Sequence, residues 1–266
     1  MTRVPLDDAR VLLSGATGGI GQAIARRLRS EGSQLVLTGR RADTLAALAD
    51  ELGAEVLQAD LARRDEVERL LGSVGVIDVL VANAALPGSG RLAMLRAEDV
   101  DRAIEVNLRA PIALAHGLLP AMAARGRGHL VFIGSLSGKA ATAGSSLYNA
   151  TKFGLRGFAL ALRAELGPAG IGVSLVSPGF VSDTGVFADT QITLPRAITT
   201  RTPEQGASAV VAAILENRGE IDVASLQMRL SADFANLAPA LAARASRALH
   251  GERLAREFEE RQADKR

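Results

Sequence analysis

Tyr148 is the only tyrosine of the chain, and Lys152, four positions on, is one of three lysines beside Lys139 and Lys265. On a helix, positions i and i+4 share a face, so the ammonium can lie beside the phenol. A unit charge at about 4 Å, in a medium of effective dielectric near 20, is worth roughly 4 kcal/mol. That attraction is expected to lower the phenol pKa by up to roughly 3 units before desolvation opposes it. The result would be a tyrosine able to give or take a proton near neutral pH. An isolated Tyr-x-x-x-Lys is more often a surface pair, so the surroundings decide. Ser135 stands thirteen residues upstream, at the end of a strand-like run. Ligands of open α/β sheets bind at the carboxyl ends of strands.

A glycine-rich stretch supplies a second candidate site. Ser14-Gly15-Ala16-Thr17-Gly18-Gly19-Ile20-Gly21 lies between a strand-like and a helical run. Glycines there permit positive φ and let the backbone approach a pyrophosphate at a helix N-terminus. The spacing of Gly15, Gly19 and Gly21 departs from the commoner G-x-G-x-x-G. Gly39 stands where an acid would bind the ribose 2′-hydroxyl of NAD, and Arg40 and Arg41 follow it. An arginine at that place accommodates the 2′-phosphate of NADP. Cations are disfavoured at a helix N-terminus, so two of them there need another reason. NADP is therefore expected in preference to NAD.

The elements that must hold these groups alternate along the chain. Runs at 11–13, 35–38, 55–58, 76–82, 129–134, 173–176 and 221–224 read as strands, with amphipathic stretches such as 22–30 and 44–52 between them. Continuous apolar strands such as Val79-Leu80-Val81 suit a parallel sheet covered on both faces. Seven strands with helical connections predict an α/β, doubly wound, mostly parallel sheet. Residues 1–225 are expected to form one catalytic domain and 226–266 a helical extension. The weakly periodic segment 182–202 is expected to be a substrate lid. Its Val186, Phe187, Ile192 and Leu194 suggest an apolar substrate. Leu230, Phe234, Leu237 and Leu241 follow helical spacing, giving a packing helix or, alternatively, an oligomer or membrane-surface contact.

Composition narrows the classes. In 266 residues, 48% hydrophobic and 23% charged, there is enough apolar material for an ordinary core. The net charge is +2, and the bases are scattered, which argues against nucleic-acid binding. With no cysteine, disulfides, thiolate metal sites and cysteine nucleophiles are excluded. His116, His129 and His250 lack ligand spacing, so no metal site is expected. No apolar run reaches the roughly 18 residues of a membrane helix, and no signal peptide is apparent, so a cytoplasmic location is expected.

Taken together, Gly15-x-x-x-Gly19-x-Gly21, Ser135 and Tyr148-x-x-x-Lys152 resemble the classical short-chain dehydrogenase/reductase family, over about 11–224. The resemblance implies a Rossmann-type domain in which Tyr148 exchanges a proton with the substrate while the nicotinamide transfers a hydride. Ser135 would hydrogen-bond the substrate oxygen, Lys152 would also bind the nicotinamide ribose, and Asn107 would hold a proton-relay water. Asp60-Leu61 resembles the adenine-contacting pair, Asn83-Ala84 the strand end beside the cofactor, and Pro178-Gly179 the turn beside the nicotinamide. Some positions depart from the family pattern. Ser14 replaces threonine, Ala82 and Ala85 replace Asn and Gly, Thr184 is displaced by one position, and the usual end after the last strand is missing. The expected function is NADP(H)-linked interconversion of a secondary alcohol and its ketone. A homodimer through the helices carrying Asn107 and Tyr148, or a homotetramer, is expected with it. A dinucleotide-binding sensor or scaffold without turnover, or a lyase or epimerase on the same scaffold, remains the alternative.

Overall fold

The computed structural model describes residues 4–88, 90–182 and 199–248. Seven strands form one sheet: β1 (Arg10–Ser14), β2 (Gln34–Thr38), β3 (Glu55–Val56), β4 (Val79–Ala82), β5 (Gly128–Ile133), β6 (Ile171–Pro178) and β7 (Glu220–Val223). Their order is β3-β2-β1-β4-β5-β6-β7, and every pairing is parallel. Such a sheet needs cover on both faces, and the alternation of side chains along each strand provides for it. On one face Val11 and Leu13 pack with Ile24, Leu28, Leu45 and Val210. On the other, Leu12, Leu80 and Phe132 pack with Val67, Leu114 and Leu155. The first layer is formed by α1 (Gly19–Ser30), α2 (Ala42–Leu52) and α7 (Pro203–Glu216). The second holds α3 (Arg64–Ser73), α5 (Ala110–Arg125) and α6 (Ser146–Leu166), with α4 (Ala97–Ile104) leading into α5.

The doubly wound sheet is the expected one, with boundary shifts that have physical causes. The run at 76–82 pairs only from Val79, because Gly75 turns the chain at φ 67 and Val76 remains exposed. Asp78 then accepts a hydrogen bond from the Arg10 amide at 3.1 Å, fixing the start of the pairing. The run at 55–58 pairs with β2 over two residues only, as an edge.

Beyond β7 the predicted helix is two helices, α8 (Leu226–Leu237) and α9 (Pro239–Ala248). Proline has no amide hydrogen and disfavours helical geometry in the residue before it, which breaks the helix at Ala238. The expected packing face is also corrected: Met228 and Ala232 pack against Leu136 and Ala224, whereas Leu230, Phe234, Leu237 and Leu241 are exposed. Among the described residues no helix is long and apolar enough to cross a membrane. The predicted lid falls largely outside the described residues, with Thr184, Val186, Phe187, Ile192 and Leu194.

Candidate active site

Because the sheet is wholly parallel, Ser14, Asn83, Ser135 and Pro178 all emerge at its carboxyl edge. Register makes this concrete: Ser14 pairs with Ala82, Ala82 with Phe132, and Phe132 with Leu175. Chain order reverses between β1 and β4, the place where such sheets open a crevice.

The glycine loop is built for close approach. Gly15 has φ +66, and a Cβ there would lie 2.7 Å from the Ala84 Cα; at Gly21 it would meet the Gly15 carbonyl at 2.2 Å. Helix α1 starts after Gly18 with no side-chain cap and no acid in its first turn, so its amides are open to an anion. Ser14 Oγ accepts from the amides of Asn83 and Ala84 at 3.1 and 3.2 Å, and Asn83 Nδ2 donates to the Gly15 carbonyl at 3.0 Å. The strand end at Asn83 thus pins the loop. Arg41 precedes α2 and donates to the Thr17 carbonyl. Arg40 is exposed, and its guanidinium makes no hydrogen bond among the described residues. Burial pushes the Asp60 carboxyl up, but the Ala62 amide, the Arg102 guanidinium and the charge of Arg40 outweigh it and hold it below the usual aspartate range. Arg102 reaches it at 2.9 Å, and Leu61 is buried beside it. These features fit a dinucleotide: a side-chain-free cradle, a helix N-terminus without an acid, and an available arginine past β2.

Ser135, Tyr148 and Lys152 meet across the end of β5. Ser135 opens a tight turn, Leu136–Gly138, and its Oγ accepts from the Ser137 amide at 3.1 Å. Tyr148 lies in the first turn of α6, and Lys152 is buried one turn on. Lys152 Nζ donates to the Ile133 carbonyl at 2.9 Å and sits 5.7 Å from the Tyr148 ring centroid. The expected depression of the phenol by the lysine is not what this geometry gives. Burial pushes the Tyr148 phenol up, and a hydrogen bond from Ser135 pulls it back only in part. The lysine charge does not offset that rise, and burial lowers Lys152 itself to about 8.

Asn107 lies in a π-helical turn, Glu105–Arg109, between α4 and α5. Its side chain holds the backbone of Leu86 from both sides, accepting from the amide at 2.7 Å and donating to the carbonyl at 2.9 Å. The same strap reaches Tyr148, whose amide donates to the Gly88 carbonyl at 3.3 Å. The wider turn spaces its hydrogen bonds differently from an α-helix, as π-turns at functional sites do.

Two residues not singled out in the sequence complete this frame. Asn149 donates to the carbonyls of Ser137 and Ala140 at 2.7 and 3.0 Å and accepts from the Thr142 amide at 3.1 Å, locking the turn behind Ser135 onto α6. Thr151 Oγ1 donates to the Tyr148 carbonyl at 2.9 Å and lies 3.5 Å from Asn107 Nδ2. Their one available signal was adjacency, of Asn149 to Tyr148 and of Thr151 to Lys152. Pro178 ends β6, and the Gly179 amide donates to Val223 at 3.0 Å; a Cβ at Gly179 would lie 3.0 Å from Met228 Cε. The first turn of α8 therefore stands over this corner of the edge. The structure brings Ser135, Tyr148, Lys152, Asn107, Asn83 and the glycine loop to one edge. Arg40, Arg41, Asp60 and Leu61 lie on its β2–β3 flank.

A family model described as short chain dehydrogenase matches residues 9–195. The chain is 36% identical over 222 residues to "Ketoacyl reductase HetN" of Nostoc sp., covering 80% of this chain and 77% of that protein. It is 40% identical over 181 residues to "NADP-dependent 3-hydroxy acid dehydrogenase YdfG" of Salmonella typhi, covering 65% of this chain and 73% of that protein. Among solved structures, a short-chain dehydrogenase from Sphingobium yanoikuyae in complex with NADPH superposes with a TM-score of 0.73 at 32% identity. That match covers 80% of this chain and 87% of the other.

Proposed function

The chain belongs to the short-chain dehydrogenase/reductase family, and on that footing we propose that it interconverts a secondary alcohol and its ketone using NADP(H), with Tyr148 as the proton donor and acceptor. The observation that carries the reading is the meeting of the half-buried Ser135 and Tyr148 with the buried Lys152 at the sheet edge that also holds the glycine loop. The cofactor supplies the hydride. The phenol, held protonated by burial, donates its proton to the developing alkoxide in reduction, and Ser135 hydrogen-bonds the same oxygen. Lys152 places a cation beside the phenol as it loses that proton and would also hold the nicotinamide ribose. Asn107 fixes the Leu86–Gly88 strap against the tyrosine helix and would hold a relay water at its turn.

For the cofactor, Ser14 to Gly21 would cradle the pyrophosphate, Arg40 and Arg41 would meet the 2′-phosphate, and Asp60 with Leu61 would flank the adenine. Asn83, Ala84, Pro178 and Gly179 would border the nicotinamide side. The two curated relatives are named for ketoacyl and 3-hydroxy acid substrates, which puts β-keto and 3-hydroxy acyl compounds first. We take residues 1–225 as the catalytic unit and 226–266 as an extension. Self-association is assigned to the α4–α6 face, where Ile104, Phe153 and Leu160 are exposed.

The test pairs a substrate panel (a β-ketoacyl thioester, a 3-hydroxy acid, a steroid and a sugar) with NADPH binding by fluorescence. Tyr148→Phe should bind NADPH normally and lose about 100- to 10,000-fold in turnover. Arg40→Ala should shift the cofactor preference toward NAD. Undiminished turnover in Tyr148→Phe, or substrate consumed without net cofactor oxidation, would sink the proposal.

A further inference from the structure

Helix α8 presents an apolar stripe that nothing in the described chain covers. Leu226, Leu230, Phe234 and Leu237 are 67%, 60%, 48% and 83% exposed. At about 100° per residue they fall within an arc of about 80°, a seam rather than a scatter. Together with Leu241 on α9 they expose roughly 500 Å² of apolar surface, at the upper end of what a monomer shows. Doubled across a symmetric contact, that reaches the roughly 1,000 Å² at which specific interfaces begin.

We propose that this face pairs with the same face of a second copy of the chain, α8 against α8, antiparallel. In that orientation the stripe meets itself with its flanking charges matched. With the helices crossing near Ala232, Leu226 stands opposite Leu237 of the second copy, and Leu230 opposite Phe234. Arg229, on the flank of the stripe, comes level with Asp233 of the other copy. Arg229 is exposed and makes no ion pair among the described residues. Asp233 is reached by Lys139 through one carboxylate oxygen at 3.4 Å, and its side chain remains 54% exposed. A parallel pairing would put Arg229 and Asp233 of the two copies on opposite flanks of the seam, where neither meets its counterpart. The contact is isologous, so each copy engages one partner through it, separately from the α4–α6 face. The paired helix is also the one whose other face, through Met228 and Ala232, packs against Leu136 beside the catalytic serine. Pairing therefore braces that wall from outside.

The chain contains no cysteine, so introduced thiols are the only ones present. A mixture of Leu226→Cys and Leu237→Cys proteins, oxidised mildly, should give a disulfide-linked dimer on a non-reducing gel. Each protein alone should not, because antiparallel pairing holds identical ends about 16 Å apart along the axis. The doubly charged variant Leu230→Glu/Phe234→Glu should halve the mass seen by light scattering. Both positions are exposed, so its melting temperature should stay within a few degrees of the parent's. Cross-linking of Leu226→Cys with itself, or an unchanged mass in the charged variant, would overturn the pairing. Co-sedimentation of the parent with phosphatidylserine vesicles that the charged variant loses, at equal mass for both, would also overturn it and assign the stripe to lipid. None of these readouts uses turnover, so they stand or fall apart from the proposed reaction.

Discussion

Lys152 is a buried cation, held by one carbonyl and set against one ring. Its pKa of about 8 in the folded chain lies below the ordinary 10.5. Below pH 8 the lysine is charged in both states, and folding bears the full burial penalty, about 3 kcal/mol. As pH rises from 8 to 10.5 the folded lysine releases its proton first and the penalty disappears. Lys152→Met removes the charge, keeps most of the volume and forfeits the Ile133 hydrogen bond and the ring contact, about 1–2 kcal/mol together. The variant should therefore be about 1–2 kcal/mol more stable than the parent at pH 7 in urea unfolding, while its turnover collapses. A variant that is less stable would mean that the ammonium is better solvated in the fold than its burial implies. A residue that destabilises the fold and sits beside the phenol proposed to react is, on that reading, held there for its charge.

The π-helical turn at Glu105–Arg109 shows how one element sets another. Asn107 supplies both hydrogen bonds to the Leu86 backbone, and the strap it holds receives the Tyr148 amide two residues later. Replacing Asn107 by Ala leaves an amide and a carbonyl short of partners, a loss of about 2 kcal/mol in stability. Turnover should fall too, with NADPH binding less affected, because the strap orients α6 and not the glycine loop. Equal losses in both would place the asparagine's effect elsewhere. The sequence made this residue visible only through its likeness to a family motif, since a lone asparagine reads as a cap or turn residue. Strands and the glycine loop were legible because period and glycine spacing are local properties. Three things were not: the start of pairing at Val79, the clamp of Asn149 on the Ser135 turn, and the break between α8 and α9. The first depends on Arg10, far along the chain, and the second on how the turn after Ser135 folds back onto α6. The third had a local cause in Pro239, but the leucine spacing runs through it unbroken and masks it.

The sheet's two edges divide the labour of the whole molecule. The proposed site gathers at the carboxyl ends of the strands, and His129, near the opposite end of β5, is fully buried with Nε2 2.8 Å from Ser174 Oγ. Ser174 in turn donates toward the Ala213 and Arg218 carbonyls, tying β5 and β6 to the end of α7. Burial, with a smaller contribution from the Arg163 charge, lowers His129 to about 4, so the folded chain holds it neutral. Between pH 6.5 and 4 the unfolded histidine takes up a proton that the folded one refuses, so stability is complete above 6.5 and is lost as pH falls. The whole window is worth about 3 kcal/mol, and the part between pH 7 and 5 about 2 kcal/mol. Carboxylates such as Asp60, held below their ordinary range, contribute at lower pH and leave that interval to histidine. Urea unfolding at pH 7 and pH 5 should show the difference in the parent chain and lose most of it in His129→Gln, whose amide stays neutral throughout. If the variant keeps the full drop, the acid sensitivity of the fold belongs to another group and the His129–Ser174 link is merely packing.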